Sequence, residues 1–284
     1  MVIVDEKKCR GCGSCAGICH QRCITLANKR GDSVAQIDYA ACSTCTQCIA
    51  ICPQRALSWN QVPPMAYDPG RLPSAEQLDE LFKQRRTVRR FKEKKIERVL
   101  LAEIIGYGIC APTNNYDLRA IVVEDPAMLE TLDVIIMHYV SWAYNLLYRP
   151  RLVFHLVRAI TPAIDPKTKV KMEHGLKAGR AFDSLPAAVV FIVGDRRIVL
   201  SEASAQYTLY NMILYAQAKG IGSRINGGIP LTLDRSKRAR QCLGLQKHEH
   251  ILAALEFGYP VVRFRNKVEG KSLHITWNGR ELNA

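Results

Sequence analysis

Two cysteine runs near the N-terminus restrict what this chain can fold into more than any other feature. Cys9, Cys12, Cys15 and Cys19 follow the spacing C-x2-C-x2-C-x3-C, and Cys42, Cys45, Cys48 and Cys52 repeat it 33 residues later, with Pro53 directly after. The repeat extends beyond the cysteines. At the same offset Val4-Asp5 falls on Ile37-Asp38, Gln21-Arg22 on Gln54-Arg55, and Ile24-Thr25-Leu26 on Leu57-Ser58-Trp59. Two copies of one short unit are expected, each reading strand, cysteine loop, short helical turn, strand. The copies differ at two points. His20 stands opposite Pro53, and Cys23 stands opposite Ala56.

A [4Fe–4S] cubane needs one thiolate at each of its four irons. Two-residue gaps let three successive sulfurs of a tight loop turn inward, and the fourth ligand comes from the other run. That logic assigns Cys9, Cys12, Cys15 and Cys52 to one cluster, and Cys42, Cys45, Cys48 and Cys19 to a second. The spacing resembles that of bacterial ferredoxins carrying two [4Fe–4S] clusters. Paired C-x2-C also binds zinc, but a zinc ion takes four ligands and rarely uses three cysteines at consecutive two-residue gaps. Cys23 reads either as a spare ligand near the second cluster or as a small buried residue packed against it. Cys110 and Cys242 take no role beyond structure.

Eleven cysteines, most of them committed to metal, point to a reducing compartment. The 284 residues suffice for two domains, and 48% apolar content supplies a core. The longest uncharged apolar stretch in the middle of the chain, Val134 to Tyr148, contains His138 and Asn145 and is too short to span a bilayer. Asp5 to Lys8 interrupts the apolar start a signal peptide would need. A cytoplasmic protein of an anaerobe or facultative anaerobe, without a transmembrane segment, is expected. The formal net charge of +14 overstates the basicity, because an oxidised cubane with four thiolates carries about −2 by oxidation-state counting. Lysines and arginines are scattered, with concentrations at Arg85–Lys95 and Arg235–Arg240. Without a basic stripe on a known module, a nucleic-acid partner is not expected. An acidic electron donor or an anionic surface suits the surplus charge better.

Residues 1–62 form the cluster domain. The Pro- and Gly-rich stretch 63–74 reads as a semi-rigid linker, and 75–284 as a second domain. There Ser74 and Gln77 form a capping box for a helix whose buried stripe is Leu78, Leu81 and Phe82. A second helix is expected from Ile96 to Ile109, a strand from Arg119 to Glu124, and an irregular helical region from Leu129 to Ile160 broken at Pro150. An apolar strand follows at Ala187–Val193. A long helix at Ser201–Lys219 is closed by Gly220. A short helix after Leu233 and a buried strand at Ile251–Phe257 complete an α+β pattern, a central sheet flanked by helices.

Four segments of the second domain carry a resemblance. They are Arg85-Arg86-Thr87-Val88-Arg89-Arg90-Phe91, Ala111-Pro112-Thr113-Asn114-Asn115, Gly220 through Gly228, and Phe257-Gly258-Tyr259-Pro260. Read by itself, the first places several cations and a hydroxyl within one turn and its exit. That suits a phosphate dianion, since guanidinium forks match phosphate oxygens; the plainer reading is a solvated basic helix end. Gly227-Gly228 permits close backbone approach. Together, in this order and spacing, the segments resemble the nitroreductase family of FMN enzymes over about 75–284, and the whole chain is similar to ferredoxin–nitroreductase fusions. The resemblance implies that Arg85, Arg86, Thr87 and Arg89 hold the FMN phosphate and ribityl chain. It implies that Asn114 or Asn115 bonds the polar edge of the flavin, and that Asn226, Gly227 and Gly228 lie at the ring. Arg265 and Lys271 fall loosely where the family places further phosphate-binding cations. The chain departs from the family between Pro112 and the Ile121 strand, which is about two residues short and carries Tyr116-Asp117. The region 128–182 is the least family-like. It is either a cover over the flavin or an amphipathic core or dimer-contact region.

The resulting expectation is an FMN-dependent oxidoreductase. An external low-potential donor, such as a reduced ferredoxin, feeds single electrons through the clusters. The flavin delivers them in pairs to a small organic acceptor, as hydride, and the assembly is a homodimer. Rival expectations are an ene-reductase or reductive dehalogenase with the same wiring, and an electron-transfer or redox-sensing flavoprotein with no small substrate. Direct donation by NAD(P)H is a further alternative. The glycines at 220, 222, 227 and 228 follow a helix rather than a strand and are not a dinucleotide fingerprint.

Overall fold

The 33-residue repeat of the sequence is also a repeat of the backbone. The computed structural model describes residues 1–29, 31–113, 117–161, 166–268, 273–278 and 280–281, and the chain divides into two units, Met1–Pro73 and Ser74–Ala284. In the first unit β1 (Val2–Val4), α1 (Ser14–Ile18) and β2 (Ile24–Lys29) are one copy. The other copy is β3 (Asp32–Ile37), α2 (Gln47–Ile51) and β4 (Leu57–Trp59). Left-handed residues recur at the same offset: Gly11 and Thr44 (φ 62° and 56°), Gly13 and Thr46 (80° and 62°), Arg22 and Arg55 (51° and 49°). These reversals curl each cysteine loop. Gly11 has a second constraint, since a Cβ there would lie 2.4 Å from the Ser33 carbonyl oxygen. The copies interlock through antiparallel pairs, with Val2 opposite Trp59 and Ile24 opposite Ile37.

The second unit begins with α3 (Ala75–Gln84), α4 (Arg98–Gly106), β5 (Arg119–Val123), α5 (Pro126–Ala143), α6 (Arg151–Ile160) and α7 (Pro166–Ala178). It continues with β6 (Ala188–Gly194), α8 (Ser201–Ala218), β7 (Gly222–Ile225), α9 (Gly228–Leu233), α10 (Lys237–Cys242) and β8 (His250–Gly258). The four strands make an antiparallel sheet in the order β5-β6-β8-β7. β6 and β8 are central and covered on both faces, so both read as nearly continuous apolar runs. One face packs Val190, Ile192, Leu255 and Phe257 against Ile104 of α4 and Leu209 and Met212 of α8. The other packs Val189, Phe191 and Ala254 against Leu129 and Leu132 of α5 and Ile229 and Leu233 of α9. Within this apolar layer β8 carries one acid, Glu256, whose side chain is 0% exposed.

Most expected elements are present, with differences of physical interest. The Ser74–Gln77 capping box closes reciprocally, at 2.9 and 3.2 Å. The helix expected from Ile96 to Ile109 is α4 followed by a 3-10 turn, Tyr107–Cys110. The irregular region is α5, a π-helical turn at Tyr144–Tyr148, and α6. Of the stripe expected to be buried on α3, only Leu81 is even half-buried. Leu78 and Phe82 are exposed, Phe82 to 47%, because α4 and α8 already fill that face of the sheet. β7, α7 and α9 have no counterpart in the sequence reading.

Candidate cofactor sites

Two cavities open in the first unit. Cys9, Cys12, Cys15 and Cys52 line one; Cys19, Cys42, Cys45 and Cys48 line the other. Each draws three sulfurs from one run and its fourth from the other. The exposure of the cysteines repeats as well. The second of each run is exposed, the third buried, and the first and fourth half-buried. Burial raises the Cys15 thiol and pushes Cys48 up to about 11, whereas the Ser14 hydroxyl lowers Cys12. A bound iron overrides these tendencies, because a coordinating thiol is deprotonated outright. Four sulfurs distributed around each cavity, on a rigid interlocked backbone, suit a cubane.

Cys23 also lines the second cavity. It is 6% exposed, and its Sγ lies 3.4 Å from Cys19 Sγ. Burial pushes the Cys23 thiol up to about 12, which keeps it as an S–H donor. In the other copy Ala56 offers only its backbone N–H, to Cys52 Sγ at 3.3 Å.

The second unit gathers three of the four segments singled out in its sequence. Residues 85–91 leave α3 and run past the ends of β7 and β8. Val88 N donates to Ser223 O (3.0 Å), Lys92 N to Tyr259 O (2.8 Å) and Val261 N to Arg90 O (3.1 Å). Two glycines make this close approach possible. A Cβ on Gly222 would sit 2.8 Å from Val88 Cγ2, and one on Gly258 2.6 Å from Phe91 Cδ1. Phe91 N is fixed by Ser184 Oγ at 2.9 Å. With Val88 and Phe91 buried, the polar members of the segment are displayed. Arg85 and Thr87 are half-buried and Arg89 is exposed. Among the described residues none of the three makes a side-chain hydrogen bond, so they are available to a ligand. Arg86 differs: its guanidinium donates to the carbonyls of Lys83 and Arg85 at 2.7 and 2.8 Å, closing the C-terminus of α3.

In the third segment a Cβ on Gly227 would meet nothing within 4 Å, so the backbone there fronts open space. Asn226 is anchored from behind. Its Nδ2 donates to Glu256 Oε1 at 2.8 Å, its Oδ1 accepts from Gly228 N at 3.3 Å, and its backbone N–H reaches Ala254 O at 3.2 Å. Glu256 sits opposite Arg224 across the β7–β8 pair. Arg224 gives its hydrogen bond to Asp183 at 3.1 Å and stands 3.7 Å from Glu256 Oε2. That oxygen is buried without a hydrogen-bond partner among the described residues. Burial pushes the Glu256 carboxyl up to about 7, against the pull of Arg224, Asn226 and Arg89. Sequence reading passed over Glu256. The signal was present, as a single acid inside the apolar run Ile251–Phe257.

In the second segment Thr113 Oγ1 is also buried without a hydrogen-bond partner among the described residues. Asn114, Asn115 and Lys271 lie outside the described residues. Arg265 is exposed, two residues from Lys267, which pairs with Glu80 on α3. Guanidinium groups and buried oxygens without hydrogen-bond partners among the described residues, beside open space along a glycine turn, fit a phosphate-bearing polar ligand with a flat face.

Comparison with known proteins gives the family of each unit. The sequence pattern of the nitroreductase family matches residues 82–259, and that of a 4Fe-4S dicluster domain matches residues 8–56. A protein named NADH dehydrogenase from Thermus thermophilus is 24% identical over 192 residues, covering 62% of this chain and 83% of that one. A nitroreductase structure with bound FMN from Desulfitobacterium hafniense superposes with a TM-score of 0.54 at 17% identity, covering 70% of this chain and 96% of that one. Another with bound FMN, from Bacteroides fragilis, gives 0.52 at 17% identity, over 71% and 99%. Among the described residues no helix is long and apolar enough to cross a membrane. Four-cysteine cavities ahead of a sheet that displays arginines beside a glycine turn therefore belong to an iron–sulfur flavoprotein oxidoreductase, and the chain is a member of the nitroreductase family with a 4Fe–4S dicluster domain at its N-terminus.

Proposed function

We propose that the chain carries two [4Fe–4S] clusters, one on Cys9, Cys12, Cys15 and Cys52 and one on Cys42, Cys45, Cys48 and Cys19, together with one FMN. In this reading it takes single electrons from an external low-potential donor and reduces a small organic acceptor by two electrons. When bound, FMN supplies the conversion between one-electron and two-electron chemistry. Arg85 and Arg89 neutralise its phosphate, Thr87 offers a hydroxyl to the phosphate and ribityl region, and Arg86 holds the helix end that aims them. Gly227 and Gly228 let the backbone approach the ring, and Asn226 fixes that turn. Asn114 or Asn115, Arg265 and Lys271 complete the proposed set. The acting assembly is a homodimer, a reading supported by the exposed apolar residues of α3.

The observation that carries this function is the presence on one chain of two cross-run four-cysteine cavities and a glycine-clamped segment displaying Arg85, Thr87 and Arg89. The name of the Thermus relative favours one competing donor, a reduced nicotinamide. Anaerobic titration separates the two. Purified holoprotein is expected to hold about eight irons and one FMN. Reduced ferredoxin or dithionite is expected to reduce the clusters before or together with the flavin. A flavin that stays oxidised while the clusters are reduced overturns the wiring. Flavin bleaching by NADH alone, with the clusters following, assigns the donor role to nicotinamide.

A further inference from the structure

The second unit contains a buried carboxyl group that the function above does not use. Glu256 reaches the glycine turn through Asn226, faces the cations Arg224 and Arg89 and the acid Asp183, and has the apolar Val189 opposite it on β6. We propose that Glu256 holds the proton of the flavin site: its Oε2 takes one proton from solvent as two electrons arrive from the clusters, and returns it to solvent when the electrons leave for the acceptor. This rests on the reading that FMN lies against Gly227 and Arg89.

The need for such a group follows from the electron source. A hydride donor delivers hydrogen with its electron pair. Iron–sulfur clusters deliver electrons alone, so negative charge accumulates in a site of low dielectric unless a proton follows. The balance is simple. Two cluster electrons, one from each cubane, reduce the acceptor, and the two protons that the acceptor gains come from solvent. The proton held at Oε2 is taken up and released once per cycle and is not consumed. It compensates charge while the pair is stored.

The surroundings of Glu256 suit that task. Oε1 is committed to Asn226 in either protonation state, because it only accepts. Oε2 has no hydrogen-bond partner among the described residues, so protonation there breaks no hydrogen bond and gives up only the longer ion pair with Arg224 at 3.7 Å. Arg224 does not lose its counter-charge when Glu256 becomes neutral, since Asp183 already accepts its hydrogen bond. Asp183 is 52% exposed at its side chain and marks where solvent meets this network. Burial holds the Glu256 carboxyl at about 7. Added negative charge at the turn drives it further toward the protonated form, a shift of the kind like charges impose on a neighbouring acid.

The test is a redox titration of the FMN couple in holoprotein at several pH values, read from flavin resonance Raman bands that the clusters do not share. Above about pH 7, where Glu256 of the oxidised protein is ionised, wild type is expected to take up as much as one proton more per electron pair than Glu256→Gln, and the difference should vanish in acid. The glutamine keeps an oxygen for Asn226 but cannot titrate. Equal proton counts in wild type and E256Q, with FMN bound in both, overturn the proposal. Absence of FMN from wild type overturns the flavin reading instead. If E256Q does not retain FMN, reduced-minus-oxidised infrared spectra of wild type decide. A carboxylic C=O band that appears on reduction, with its pH midpoint moved lower in Asp183→Asn, is expected because Arg224 then turns to Glu256. No such band, or a midpoint unmoved by D183N, overturns the proposal.

Discussion

Replacing Glu256 with Gln should make the second unit more stable above neutral pH, and the size of the gain follows from burial. The ordinary value for a glutamate carboxyl is 4.5, and burial raises Glu256 to about 7. Below the lower value both folded and unfolded chains hold the proton, and the group adds no pH dependence. Between the two values the unfolded chain gives the proton up while the folded chain keeps it, so stability falls as pH rises. Above the upper value both are ionised and the loss is complete. A separation of roughly 2.5 units at about 1.4 kcal/mol per unit makes that loss about 3–4 kcal/mol. This is a large share of the roughly 5–15 kcal/mol typical of a domain. Glu249, held low by the hydrogen bond from Arg119, contributes the opposite slope, but equally in both proteins, and cancels from the comparison. The assay is urea unfolding followed by the fluorescence of Trp142 in a chain carrying Trp59→Phe and Trp277→Phe, from acid to alkaline pH. The stability of E256Q relative to its parent should climb through the acid-to-neutral range and then level off. A difference that does not vary with pH refutes the claim that this carboxyl is buried with too little compensation.

Other perturbations probe the remaining geometry. Cys19→Ala and Cys52→Ala should each lower iron content by about half and leave centres of different potential, since in the proposed ligation each removes the fourth ligand of a different cubane; two variants that lose the same centre contradict the cross-run assignment. Gly258→Ala forces a Cβ to within 2.6 Å of Phe91 and should cost about 1–3 kcal/mol in stability together with FMN affinity, measured by equilibrium dialysis. Gly227→Ala, facing open space, should leave stability within about 0.5 kcal/mol, and an equal loss in both variants would remove the distinction between clamp and turn. Cys23→Ala should lower the potential of the cluster beside Cys19 and leave the other unchanged, as followed by EPR-monitored titration.

Legibility in the sequence tracked how local the determining interaction is. The cysteine spacing, the Ser74–Gln77 box and the Gly220 cap each act within a few residues, and each appears as one would draw it from the sequence. β7 escaped notice because Gly222–Ile225 is a four-residue edge strand. Its identity comes from pairing with Gly258–Leu255 and from Val88, partners far away in the chain. For the same reason the glycines of that segment read as a loop. Gly222 is a packing requirement, whereas Gly220 and Gly227 front open space. The α3 stripe was misjudged because periodicity reveals an apolar face without revealing whether one chain supplies its cover. Arg86 and Arg89 have the same chemistry in the sequence. The backbone carbonyls that occupy Arg86 separate their roles, and no motif shows them.

The close repetition of the two cluster copies gives weight to the place where they differ. Helices begin 33 residues apart, left-handed residues coincide, and the exposure of the cysteines follows the same order in both. Against that background Cys23 and Ala56 amount to a substitution within one protein. Cys52 receives the backbone N–H of Ala56. Cys19 has a buried thiol 3.4 Å from its sulfur. Hydrogen bonds to cluster sulfurs raise reduction potential by stabilising the added electron, so in the proposed ligation the centre on Cys42, Cys45, Cys48 and Cys19 should be the one on which an electron comes to rest. Two otherwise equivalent centres then acquire a direction, set by one S–H. If Cys23→Ala collapses the difference between the two potentials, the direction is built into the repeat; if the difference survives intact, it must come from the charges outside the cluster loops.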